Sequence, residues 1–292
     1  VWRTALITLV YTFGLVIAGS LAGAERWPLP MRAANSLLLT VVSGVGIGIT
    51  LTLIFGLASW SRWQRFAIGA CAVFFTMLST TIEGAFFAPK LVGSVPTLVF
   101  MDVVAGLAVG AAGMADAAEE RGHIATTFSW SSRTWYSWAW RLCVSAASYV
   151  LFYWIYGALN YLLLTRPYYS AQQTTLQVPS AQAVLGAEAI RGPLLVLAVL
   201  PLVLTSSLTR RRLALSSSAV LFIIGGVVPL LRQAGVLPTF LLIASGWEIF
   251  LQNVSLALVI TWLSGNTRSS EHSQNAKMGS RADQTASARA GK

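Results

Sequence analysis

Residues 36–59, SLLLTVVSGVGIGITLTLIFGLAS, contain no charged side chain. As a helix rising 1.5 Å per residue, this run would be about 36 Å long, more than the roughly 30 Å hydrocarbon core of a bilayer. A short apolar run could be a buried strand, but one of this length reads as a membrane-crossing helix. Seven further runs of the same kind lie at 4–23, 66–87, 96–117, 141–164, 190–208, 213–231 and 240–264. The expected fold is an all-α transmembrane helix bundle of about eight spans, residues 1–264, with no large soluble domain. The breaks between runs carry turn signals: Pro28 and Pro30, the basic turn Ser61–Arg65, Pro89, and the triple arginine Arg210–Arg212. Pro96 opens the fourth span, where a missing N–H costs little.

Composition supports the same reading. Of 292 residues, 55% are hydrophobic and only 10% are charged, against about 25% charged in a soluble domain. So few charges cannot cover a water-facing surface, which excludes a soluble enzyme fold, a disordered acidic chain and a secreted disulfide scaffold. Cys71 and Cys143 fall inside spans and read as small apolar packing residues.

The formal net charge is +10. On a soluble chain this would suggest nucleic acid; here it orients the bundle, because Lys and Arg concentrate in cytoplasmic loops. Fourteen of the 20 basic residues fall on the side holding both termini, and six on the other. We therefore expect a multi-pass cell-membrane protein with both termini cytoplasmic and the lipid bilayer, not nucleic acid, as its surroundings. Arg3, the first apolar run and Ala22-Gly23-Ala24 also have the outline of a signal peptide, although an ordinary first span is the favoured reading. The chain opens on Val1 rather than Met, which leaves open whether residues precede it.

Residues 119–140 are rich in tryptophan (Trp130, Trp135, Trp138, Trp140) and are expected to lie along the inner interface, where indole rings favour the headgroups. The sharper alternative is a docking surface for a protein partner. Residues 265–292, with five basic and two acidic side chains, are expected to form a disordered cytoplasmic tail.

Function is sought in the charges placed within the spans. A carboxylate or arginine at a span centre costs about 2.5–3.5 kcal/mol on insertion scales, so it usually faces the protein interior or a wet cavity. Glu83 lies near the outer end of span three, Asp102 about 9 Å inside span four and Glu248 about 12 Å inside span eight. Arg191 opens span six, with Glu188 one turn before it, and Asn160 nears the outer end of span five. The inner half holds Asp116, near the water boundary, and little else. Helical spacing gathers these groups into stripes. They are Thr76, Ser79, Thr80 and Glu83; Ser145, Tyr149, Tyr153, Tyr156 and Asn160; and Ser245, Glu248, Gln252 and Ser255. Asp102 shares a face with Gly106, Gly110 and Gly113, a small-residue packing seam. The candidate ligand- or proton-binding set is thus Glu83, Asp102, Glu248, Arg191, Glu188, Asn160, Gln252 and Tyr156. Arg191 is the best-placed counter-charge, and Arg166 and Arg232 are reserve partners. Pro193 is expected to kink span six. Buried polar residues can also simply join helices.

Other chemistries find no residues. The two histidines, His123 and His272, fall outside the spans, which argues against bis-histidine haem, a Ser–His dyad or an H-E-x-x-H zinc site. No phosphate loop and no intramembrane lysine are present. No cofactor, metal site or catalytic residue is called. Glu83, Asp102 and Glu248 could hold a divalent cation, but nothing in their spacing requires one. The halves echo each other weakly, Asp102 in span four matching Glu248 in span eight, as a parallel repeat would.

The leading expectation is a small permease or carrier-like protein with an outward-facing polar cavity for a polar or cationic solute, or for protons. The alternatives are a non-catalytic membrane sensor, assembly or complex subunit, and a carboxylate-dependent lipid-handling enzyme. The charge bias predicts that green fluorescent protein fused after Lys292 will fluoresce, whereas a phosphatase fused there, active only outside the cytoplasm, will be silent. The reverse pattern overturns the orientation.

Overall fold

The computed structural model describes residues 1–22, 36–87, 93–115, 134–167, 180–205, 208–234 and 238–264. Among them the protein is all-helical, with eight helices long and apolar enough to cross a membrane. These are α1 (Trp2–Ala22), α2 (Ser36–Phe55), α3 (Arg62–Phe87), α4 (Val95–Met114), α5 (Trp135–Thr165), α6 (Ala181–Thr205), α7 (Arg210–Arg232) and α8 (Thr239–Ser264). The expected tail 265–292, Asp116, both histidines, and Trp130 with the rest of 119–133 lie outside the described residues.

Helix ends follow local chemistry that hydropathy does not see. The Ser61 hydroxyl accepts from the Gln64 N–H, and the Gln64 side chain accepts from the Ser61 N–H. This reciprocal capping box starts α3 inside what reads as a basic turn. Thr209 caps α7 in the same manner, accepting from the Arg212 N–H. Residues 135–140, expected to lie along the interface, are instead the first turns of α5. Helix α6 begins at Ala181, nine residues before the expected start of its span, so Glu188 lies within the helix. A hydropathy window ends at Glu188 and Arg191 because it scores each charge alone; paired charges can be buried together.

The packing places polar groups inside and apolar groups outside. Ser79, Asp102, Glu188, Arg191 and Gln252 are buried, while Leu162, Leu163, Ile243 and Trp262 are among many large apolar side chains facing out. In water such a surface would drive association; against lipid chains it is compatible with an integral, multi-pass membrane protein.

Helix α3 sits against α4, α6 and α7. The principal pairings are α1 with α2 and α4, α5 with α6 and α8, α3 with α4, α7 with α8, α3 with α6, and α2 with α7. Exchanging α1–α4 for α5–α8 maps this set of neighbours onto itself, with the α3–α7 contact on the axis. Four helices per half keep the halves parallel, so the neighbour pattern matches the weak echo in the sequence. The weaker contacts of α6 with α7 and α8 lack such counterparts.

Close backbone approach sets the α3–α4 contact. A Cβ on Gly106 would come within 2.8 Å of Phe74 Cβ, and one on Gly110 within 2.9 Å of Ala70 Cβ and 3.0 Å of the Phe66 carbonyl. The small-residue seam therefore serves packing, as in small-xxx-small pairs generally. Gly110→Leu should force the two helices apart and cost about 1–3 kcal/mol, the usual range for overpacking. Thermal unfolding in detergent should show a clear drop in Tm, while Gly93→Ala, with open space around it, should leave Tm unchanged.

Candidate functional site

The site is built where α3, α5, α6 and α8 meet. Its centre is the guanidinium of Arg191. One terminal nitrogen, Nη2, lies 2.9 Å from Glu83 Oε2 on α3; the other, Nη1, donates to Glu188 Oε1 at 2.7 Å, one turn back on α6. Nε donates to the Ser79 hydroxyl at 3.2 Å, one turn before Glu83. The planar fork of arginine suits this role, because it can serve several oxygens at once. Tyr149 and Tyr153 of α5 flank the guanidinium, with ring centroids 5.7 and 6.0 Å from its central carbon. That is within cation–π reach.

The residue after Arg191 brings these rings close. A Cβ on Gly192 would lie 2.6 Å from the Ala146 carbonyl, so only glycine lets α6 come this near to α5. Ala146 is one turn before Tyr149 on α5, and the approach carries Arg191 to the tyrosine face.

Burial is graded across the triad. Glu188 is fully buried, and the Arg191 side chain is 8% and the Glu83 side chain 31% exposed. Glu188 Oε2 is buried with no hydrogen-bond partner.

A second carboxylate stands beside this group. Glu248 of α8 accepts from Asn160 Nδ2 at 2.6 Å on one oxygen and from Gln252 Nε2 at 2.8 Å on the other. Its Oε1 lies 3.1 Å from where a Cβ on Gly157 would stand, so the missing side chain there makes room for the carboxylate. Asn160 Oδ1 is buried without a donor. Tyr153 is in electrostatic reach of Glu83, Glu188, Arg191 and Glu248 alike, which ties the two groups together. Tyr156, farther along, shares a hydrogen bond with Ser255 of α8 at 3.0 Å and so braces α5 on α8.

Asp102 does not join them. Its carboxylate accepts from the Thr81 hydroxyl at 2.8 Å, and the charges acting on it come from the α7 side, where Arg232 is its electrostatic neighbour. Tyr11 of α1, fully buried, feels both Asp102 and Arg232. Thus Glu83, Glu188, Arg191, Glu248, Asn160 and Gln252 come together, Tyr156 braces the edge, and Asp102 belongs to a separate polar contact. Asp102 on α4 is bonded across to α3, whereas Glu248 on α8 is bonded across to α5.

Ser79, Tyr149 and Tyr153 are visible as stripe members in the sequence, although spacing does not reveal that they surround Arg191. Gly157, Gly192, Thr81 and Tyr11 carry no such signal. Each matters only through a neighbouring helix. Among the described residues, no group of three or more His, Cys, Asp and Glu side chains is arranged to hold a metal ion. No family model, curated protein or solved structure matches the chain.

Removing one partner of a buried ion pair typically costs about 3–5 kcal/mol, because it leaves the other charge uncompensated. Arg191→Met should therefore lower Tm strongly. Adding Glu83→Gln in the same chain should recover part of the loss. If the two losses simply add in thermal unfolding, the shared ion pair is not formed.

Proposed function

We propose that the protein is a small permease or carrier-like protein of the cell membrane, with both termini in the cytoplasm. Its site takes a small polar or cationic solute, or protons, at Glu83, Glu188 and Glu248, with Arg191 as the counter-charge. One observation carries the reading: Arg191 is shared by two carboxylates, and a third, Glu248, has only neutral donors. Acceptors exceed donors here, and two oxygens, Glu188 Oε2 and Asn160 Oδ1, are buried without any. In a low-dielectric interior such an excess of negative charge favours a bound proton or cation.

The fold supports the reading by its arrangement. Parallel repeats occur in transporters, whose sites lie at the contact between repeats. The Glu83–Arg191 bridge joins α3 of one half to α6 of the other. Asp102 has a supporting place instead, at the α3–α4 contact, where Thr81 holds it.

A second reading, a membrane component that docks a protein partner, draws on the exposed aromatic start of α5. Trp135 and Tyr136 stack there, and Trp140 is also exposed. The same side chains suit the lipid headgroup region, so this reading ranks below the first.

A solute held by these carboxylates should raise the Tm of the wild-type protein in a screen of amines, alkali salts and amino acids. Glu248→Gln and Glu83→Gln should each weaken that effect by about tenfold or more, since a hydrogen bond to a charged group contributes about 1.5–3 kcal/mol. Retention of full affinity by both variants overturns the site.

A further inference from the structure

Glu188 is the most deeply buried charged group of the site, and only half of its carboxyl is used. Oε1 meets Arg191, whereas Oε2 meets nothing. An ionised oxygen left bare inside the protein is costlier than a neutral hydroxyl. Three species could relieve it. A metal cation there would stand beside the guanidinium already bound to the other oxygen and be repelled by it. A water molecule would supply a hydrogen bond but leave the charge. A proton removes the charge, so that Glu83⁻, Arg191⁺ and neutral Glu188 sum to zero.

We propose that Glu188 holds an exchangeable proton, and that its release lets the more exposed Glu83 bind a small monovalent cation, making the protein a proton–cation exchanger. This deepens the permease reading and rests on it. When Glu188 ionises, its O–H bond breaks heterolytically and the proton leaves to water. Both electrons stay on the carboxylate, which then claims Arg191 in full. Glu83 gives up its share of the guanidinium and is free to pair with the incoming cation. The triad is neutral before, and together with the bound cation it is neutral after, so one proton is exchanged for one positive charge. The groups facing Glu188 are Arg191 on its own helix, Glu83 from α3, Tyr149 and Tyr153 from α5, and Glu248 from α8. From α7, Arg232 directs its charge towards Asp102 instead. Glu248 keeps the same two neutral donors in both states. Its charge draws a cation in without altering the balance, and Asn160 Oδ1 offers a free acceptor beside it. The tyrosine faces that hold the guanidinium would also suit an organic ammonium, so alkali and ammonium cations are separate arms of the test.

The test combines infrared spectroscopy with flux, on the full chain in lipid vesicles. The wild-type protein should show a protonated-carboxyl C=O absorbance that falls when potassium, sodium or choline is perfused. Glu188→Gln should remove that absorbance. So should Glu83→Gln, because Arg191 then belongs to Glu188 alone and holds it ionised; a merely structural role would not produce this second loss. Vesicles preloaded with the active cation and diluted into cation-free buffer should acidify inside, at a rate independent of membrane potential. An absorbance unchanged in both variants and on perfusion overturns the proton on Glu188, and if flux persists the permease reading stands without it. The expected absorbance changes with no flux for any of the three cations overturn the exchange and the permease reading together.

Discussion

A single buried guanidinium shared by two carboxylates is the constraint on which the rest of the site depends. Arg191 cannot shed its proton inside a protein, and its five donors must find acceptors where water is scarce. Glu83, Glu188 and Ser79 supply those acceptors, and Tyr149 and Tyr153 supply aromatic faces. To bring them together, α6 must lie tightly on α5 and beside α3. Gly192 against Ala146 permits the first contact, and the polar stripe of α3 provides the second. The ion pair is therefore also one of the contacts between the two halves of the bundle.

The apolar packing around it has little preference of its own for where helices meet, since lipid chains are as apolar as leucine side chains. Position comes from small residues that admit a neighbour's backbone and from polar groups that must be satisfied. Gly106 and Gly110 on α4, against the backbone of α3, show the first device. The second is shown by Asn253, which donates to the Leu221 carbonyl at 2.7 Å. Leu221 lies in the π-helical turns Val220–Val227 of α7, where the wider coil changes the ordinary backbone ladder. Asp102 with Thr81 joins α4 to α3, and Glu248 with Asn160 joins α8 to α5. Tyr11 and Arg232 are the electrostatic neighbours of Asp102, whereas Glu248 stands beside the acid-rich triad.

Much of this fold is legible from residues alone because the bilayer imposes a length on any apolar helix that crosses it. The run 36–59 already exceeds that length, and Ser61 with Gln64 three residues later is a capping-box pattern that marks the start of α3. Glu188 lies outside the span that hydropathy marks, because hydropathy adds charges residue by residue and is blind to pairing. The stripe of α5 was visible, but its division of labour was not: Tyr149 and Tyr153 serve Arg191, Tyr156 serves Ser255, and Asn160 serves Glu248.

By itself the sequence determined an all-helical chain, with eight helices among the described residues long and apolar enough to cross a membrane and with its few acids on helical stripes, because helix period and apolar length act locally along the chain. Only the tertiary structure decided which acids share a cation. Glu83 and Glu188 converge on Arg191, Glu248 joins them through α5, and Asp102 is held apart by Thr81, with Tyr11 and Arg232 as its electrostatic neighbours. That choice depends on which helices lie side by side, and neighbours are set by glycine-wide contacts such as Gly192 on Ala146, which leave no periodic mark in the chain.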